Sequence, residues 1–176
     1  MRAWLLCVAL MLALPAHAKN LRWASQGDAT SMDPHAQNEN LTNQLNGMVY
    51  EQLLQYDKQM KLVPWLATSF ENPEPTKWIF HLRKGVKFHD GSEFNADAAI
   101  WNLDRYYKKD AKQFDPPGGA VAQARNPFVA GYRKIDDYTI EIANPRPLSY
   151  FPNMLPYMLY SSPAQFEKTG SWAEFA

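Results

Sequence analysis

Two histidines and one proline-flanked arginine are the residues of this chain whose types could carry chemistry. His89 is followed directly by Asp90, a pairing able to move a proton, and His81 lies in a segment of alternating polarity where a neutral imidazole could hold a metal. Arg146 stands between Pro145 and Pro147, where a fixed guanidinium could meet a carboxylate. A plainer use fits each spacing better. His89-Asp90-Gly91 reads as a turn, His81 occupies one face of a strand, and an arginine between prolines suits the surface. Hydrolysis would need a nucleophile with its base, or a metal-ligand spacing. The sequence has no Gly-x-Ser-x-Gly, no Ser-x-x-Lys and no His-Glu-x-x-His, so no enzyme is expected, and no metal or cofactor.

Any positioning element must begin after an export signal. Arg2 supplies a positive start, Ala3 to Leu14 is a nearly unbroken apolar run, and Ala16-His17-Ala18 after Pro15 is a small-x-small cleavage site. Residues 1–18 are therefore expected to be removed after Ala18, because the apolar run falls short of the roughly 20 residues that span a bilayer. Cys7, the only cysteine, goes with them. The remaining chain has no disulfide and no cysteine metal site, and it must hold itself together by packing. Of 18 basic residues 17 remain against 18 acidic, a formal charge of −1 with both signs scattered, which does not suit nucleic acid.

Leu21 to Ser25 alternates and ends at Gly27-Asp28, which predicts a short strand entering a loop that continues through Asp33-Pro34. Leu41, Leu45, Met48, Val49 and Leu53 fall at helical spacing and predict a helix to about Tyr56. Val63-Pro64-Trp65-Leu66 carries a proline that disfavours a central strand, and Asn72-Pro73-Glu74-Pro75 reads as a turn. Thr76 to Leu82 is the clearest strand, with Trp78, Phe80 and Leu82 on one face. Trp78, Phe80 and Trp101 are expected in the core rather than stacked on a ligand. Asn95 is placed to cap a helix whose inward stripe is Ala96, Ile100, Leu103 and Tyr107. Lys108 to Gly119 reads as a surface loop, Tyr132–Ile135 and Tyr138–Ile142 as a hairpin, and Leu148 to Tyr160 as a short helix packed on the sheet.

The run from Trp78 through Leu82-Arg83, Gly85-Val86 and His89-Asp90-Gly91 to Phe94-Asn95-Ala96-Asp97-Ala98 resembles the signature of the family 5 extracellular solute-binding proteins, which serve dipeptide, oligopeptide, nickel and related importers. Met32-Asp33-Pro34-His35, Tyr50-Glu51 to Leu54, Leu62 to Ala67 and Asp136-Asp137-Tyr138-Thr139-Ile140 are similar to further stretches of that family. The resemblance covers essentially the whole chain after Ala18. It implies a mixed α/β (α+β) fold of the type II periplasmic-binding-protein kind, present here in truncated form. Residues 19–55 would be the start of lobe I with its first strand, loop and helix. Residues 56–155 would be the family's small extra α+β domain, and 156–176 the start of a return to lobe I.

The resemblance further implies a monomeric periplasmic binder that delivers a peptide, nickel complex, glutathione or similar solute to ABC permease subunits at the inner membrane. Family ligands lie extended and pair through main chain with the segment after the first strand, a form of β-augmentation. By position that segment is Gly27, Asp28, Ala29, Thr30 and Ser31, with Gly27 admitting the ligand backbone and Asp28 able to meet an amino terminus. A solvated loop is the alternative for these residues. For the whole chain the alternatives are a secreted interaction module without a small ligand, and a secreted hydrolase.

Overall fold

The alternation of Lys77–Leu82 sets the centre of the fold. Trp78, Phe80 and Leu82 point inward and are buried, because an antiparallel strand sends successive side chains to opposite faces. The computed structural model describes residues 24, 25 and 27–175; the expected export signal and most of the expected first strand, Leu21 to Ser25, lie outside them. Among the described residues no helix is long and apolar enough to cross a membrane.

The elements run α1 (Asn40–Asn46), β1 (Glu51–Gln52), β2 (Leu54–Tyr56), β3 (Leu62–Pro64), β4 (Ala67–Glu74), β5 (Lys77–Leu82), α2 (Ala96–Tyr107), α3 (Pro116–Arg125), β6 (Gly131–Asp136) and β7 (Thr139–Ala143). A 3-10 helix (Phe151–Tyr157), β8 (Leu159–Tyr160), α4 (Pro163–Thr169) and α5 (Trp172–Phe175) follow. Strands β4, β5, β7 and β6 form an antiparallel sheet in that order, with Trp78 opposite Ile142 and Phe80 opposite Ile140. The expected hairpin is β6–β7. Helix α2 packs on β6, β7 and α3. Two short ribbons complete the topology, β2 with β3 and β1 with β8, so the chain leaving α1 is paired to a strand that follows it by more than a hundred residues.

Helix α2 starts where the cap was expected. The Asn95 side chain accepts from the Ala98 amide at 3.0 Å, an interaction that contributes about 1 kcal/mol. Its buried positions are broader than one stripe: Ala99 and Leu103 are joined by Asn102, Arg105 and Tyr106, while Ile100 and Tyr107 are only partly covered. Asn102 behaves as a buried backbone mimic, donating to Ser161 O at 2.9 Å and accepting from Ser161 N at 2.8 Å. The bonds satisfy polar groups that burial would otherwise penalise.

Three elements differ from the sequence expectation. Helix α1 ends at Asn46 instead of near Tyr56, because the buried Asn46 side chain donates to Asp33 O and the chain turns at Gly47 to pair Glu51–Gln52 with β8. Met48 and Val49, which a longer helix would have placed in its apolar stripe, are 67% and 43% exposed. Strand β4 runs through the expected turn at Asn72-Pro73. It is an edge strand with a register shift between Glu71 and Glu74, the setting in which a proline costs no ladder bond. The third is α3, which occupies the end of the expected loop.

Helix α3 begins with prolines at its first positions and an Asp115 cap that accepts from the Gly118 amide at 2.9 Å. Its glycines are there for close approach. A Cβ on Gly118 would stand 2.7 Å from Asp115 Oδ2 and 3.4 Å from Arg105 Nη2, and one on Gly119 would stand 3.0 Å from the Phe114 ring. The helix propensity lost at each glycine is the cost of folding the Phe114-Asp115 lead-in back against the start of α3.

A candidate ligand segment and its buried anchor

Gly27 to Ser31 form an irregular, largely exposed stretch ahead of α1. Side chains stitch it down at several points. The Thr30 amide donates to Thr42 Oγ1 at 3.1 Å, and Thr42 in turn donates to Glu39 at 2.6 Å. Ser31 Oγ accepts from the Asp33 amide at 3.0 Å, and the Tyr50 hydroxyl donates to Met32 O at 2.9 Å. The Asp28 carboxylate folds back on the Ala29 amide at 2.8 Å. Among the described residues none donates to the Ala29 and Thr30 carbonyls and none accepts from the Ser31 amide. The segment thus holds a fixed path while leaving main-chain groups able to pair with an extended partner.

The anchor below it is a buried arginine. Arg105, on α2, is 0% exposed, and its Nη2 donates to Asp33 Oδ2 at 2.6 Å while Nη1 donates to His35 Nδ1 at 2.7 Å. A guanidinium keeps its protons, so His35 Nδ1 must be the bare nitrogen. Its Nε2 then carries the hydrogen and donates to Leu159 O at 2.8 Å, a carbonyl that also accepts from the Tyr106 hydroxyl at 3.0 Å. The Trp172 ring covers the guanidinium with its centroid 3.1 Å from Arg105 Cζ, a cation–π contact. Asp115 Oδ2 lies 4.0 Å from Nη2. A second arginine, Arg125 on α3, donates to Gln37 O and Asn43 Oδ1, both at 2.7 Å, and so holds the next stretch of the same loop.

Burial pushes the His35 pKa well below its ordinary value, and the neighbouring Arg105 charge pushes it further the same way. Tyr50 is driven up to about 12 by burial, with the Asp33 carboxylate adding to the effect. For His35 the unfolded chain takes a proton near pH 6.5 and the folded chain resists it, so stability is full above that pH and is lost as the pH falls below it. Between pH 7.5 and 5 the wild-type urea midpoint should fall with a contribution of up to about 1.4 kcal/mol per pH unit. His35→Gln, whose amide can still accept and donate, should lack that component, and an unchanged slope in the variant would assign the acid sensitivity elsewhere.

The residues that suggested other chemistry are placed apart. His89-Asp90-Gly91 is a turn, with Gly91 at φ +85°. Burial would raise the Asp90 pKa, but hydrogen bonds from Ser162 and Ser92 outweigh it and hold the carboxyl below the usual range. Asp90 thereby fastens the turn to the start of α4. His81 pairs with Glu71 at 3.1 Å on the sheet surface, and Arg146 stands over the Phe128 ring at 5.5 Å. Trp78 and Phe80 are core residues, while Trp101 packs against Phe166 and Trp172. A cavity of about 610 Å³ opens beside the turn, lined by Phe88, Phe94 and Tyr160 with Lys87, Lys168 and Glu51 among its polar residues. Gly27 to Ser31 do not line it. Among the described residues no cluster of three metal-ligating side chains occurs.

The Asp33-Pro34-His35 stretch was visible in the sequence, but its partner was not. The available signal was Asn102, Arg105 and Tyr106 at i, i+3 and i+4 on one helix, a second face made of long polar side chains.

Residues 61–176 match the family described as bacterial extracellular solute-binding proteins, family 5 Middle. The glutathione-binding protein GsiB of Escherichia coli K12 is 33% identical over 168 residues, covering 94% of this chain and 31% of the relative. GsiB of Pectobacterium atrosepticum is 33% identical over 178 residues, covering 96% of this chain and 33% of the relative. The chain therefore spans about a third of the length of the curated relatives it matches. Among solved structures, the dipeptide binding protein from Pseudoalteromonas sp. SM9913 in complex with Met-Leu superposes with a TM-score of 0.71 at 20% identity, over 86% of this chain and 33% of that one. The periplasmic binding protein DppA from Helicobacter pylori in complex with peptide STSA gives 0.68 at 24% identity, over 80% and 30%. These likenesses show the shared fold, the mixed α/β fold of periplasmic binding proteins.

Proposed function

Because the chain belongs to the bacterial extracellular solute-binding proteins of family 5, we propose that it takes part in capturing a short peptide or peptide-like solute for an ABC permease at the inner membrane. The observation that carries this reading is the Gly27–Ser31 segment, stitched in place with no partner, among the described residues, on the Ala29 and Thr30 carbonyls or the Ser31 amide. Such groups suit an extended ligand, whose own backbone repeats the same donors and acceptors whatever its side chains. Glutathione and short peptides, which the similar proteins' names carry, share that backbone chemistry. In this reading the ligand is held and released unchanged, and ATP is hydrolysed by other subunits. Export through a signal cleaved after Ala18 places the protein in the periplasm. The segment 19–55 belongs with the ligand-binding lobe and 56–155 forms the small domain beside it.

Thermal shift is the test. The chain from Lys19 to Ala176, and the same chain continued through its downstream reading frame, would be heated with reduced glutathione, Met-Leu and Ser-Thr-Ser-Ala. Stabilisation of the longer form is expected, reaching about 2.7 kcal/mol when the ligand is at a hundred times its Kd. Weak stabilisation or none is expected for the shorter form. If all three compounds leave both forms unchanged, the peptide reading fails and fold likeness alone remains.

A further inference from the structure

We propose that Arg105 is the positioning residue for the Gly27–Ser31 segment: it fixes the path of that segment from below without touching a ligand. The inference rests on the reading of that segment as ligand-binding. Arg105 belongs to α2, 72 residues from Asp33 and 70 from His35, yet it donates to both. Those two acceptors lie on either side of Pro34, whose ring fixes φ, so one planar guanidinium holds both ends of a stiff three-residue unit.

The grip passes upward along the chain. Asp33 uses Oδ2 for Arg105 and Oδ1 for the His35 amide, so the carboxylate is fixed at both oxygens. The Asp33 amide is held by Ser31 Oγ, the last residue of the segment. From there Met32 O is held by Tyr50 and the Thr30 amide by Thr42. In the other direction His35 carries the grip to Leu159 O on β8, and Trp172 closes over the guanidinium. Arg105 is also bordered by the start of α3, where a Cβ at Gly118 would touch Nη2 at 3.4 Å. The Asp33-Pro34-His35 unit, α2 and α5 thus meet at one side chain, with the segment and β8 each one hydrogen bond further on. A lysine would retain the charge but lacks the planar fork that reaches two acceptors at fixed angles.

Amide hydrogen exchange on the chain from Lys19 to Ala176 tests this without any ligand. In Arg105→Lys the amides of Thr30, Asp33 and His35 should exchange at least tenfold faster relative to those of Phe80 and Ile140 in the central strands. Asp33→Asn, nearly identical in shape, should give the same pattern and serves if Arg105→Lys fails to fold. An equal acceleration everywhere, or none at the three amides, overturns the proposal, since it would make Arg105 a general stabiliser or an idle one. The ligand reading is checked separately in the wild-type protein continued through its downstream frame. Failure of glutathione and Ser-Thr-Ser-Ala to slow exchange at Gly27–Ser31 there would remove that reading and leave the exchange result for Arg105 to be judged by itself.

Discussion

Arg105→Met is expected to lower the unfolding free energy by about 3–5 kcal/mol, the cost of leaving one partner of a buried ion pair uncompensated. The methionine retains most of the stem and can still lie against Trp172, so the loss comes from charge rather than volume. Asp33, 4% exposed, would keep its carboxylate without the guanidinium that answers it, and His35 Nδ1 would lose its donor. The measurement is the urea midpoint at constant slope. Adding Asp33→Leu to Arg105→Met should recover part of the loss, because removing both charges removes the orphan. A single-variant cost below about 1 kcal/mol would place the pair with exposed ion pairs and would contradict its burial.

Phe80→Ala is expected to cost a comparable amount, about 3–5 kcal/mol, by a different route. Phe80 is 0% exposed on the central strand β5, opposite Phe70 on one side and Ile140 on the other. Its ring centroid lies 5.9 Å from that of Phe70. Neighbours held by two ladders cannot move in to fill the space, so both the transfer energy and the cavity are lost. Ile79→Ala, on the opposite face of the same strand and only partly covered, should cost clearly less. Equal losses at 79 and 80 would mean that the sheet buries both faces alike. Against the usual 5–15 kcal/mol for a domain, either large variant leaves little margin.

The parts of the fold that were legible in the sequence are those whose signal is local. Strand β5, the β6–β7 hairpin and the Asn95 cap each follow from a few consecutive residues, through alternation, a turn and one short side chain. Helix α1 was overextended because Met48, Val49 and Leu53 keep helical spacing by coincidence, while the pairing of Glu51–Gln52 with Leu159–Tyr160 decides where the chain goes. Helix α3 was hidden by its glycines, although Asp115-Pro116-Pro117 is a helix-start pattern; those glycines make room for the Asp115 cap and the Phe114 ring, which fold back on the helix start in a way that residue types alone do not announce. The Gly27–Ser31 segment was located by resemblance alone. Its anchor was illegible because a buried arginine differs from an exposed one only by its neighbours, and here they come from positions 33, 35, 115 and 172.

That last fact bears on the order in which the chain can be made. Residues 33 and 35 emerge early in synthesis, but the carbonyl that receives His35 lies 124 positions later and the indole that covers Arg105 later still. Closing loops of that size is slow, and a chain delivered from its N-terminus must carry the Asp33-Pro34-His35 unit without its Arg105 and Leu159 partners, and Arg105 without Trp172, until those residues have arrived. That unit is delivered early and secured late, which leaves it open to chaperones and proteases while the rest follows.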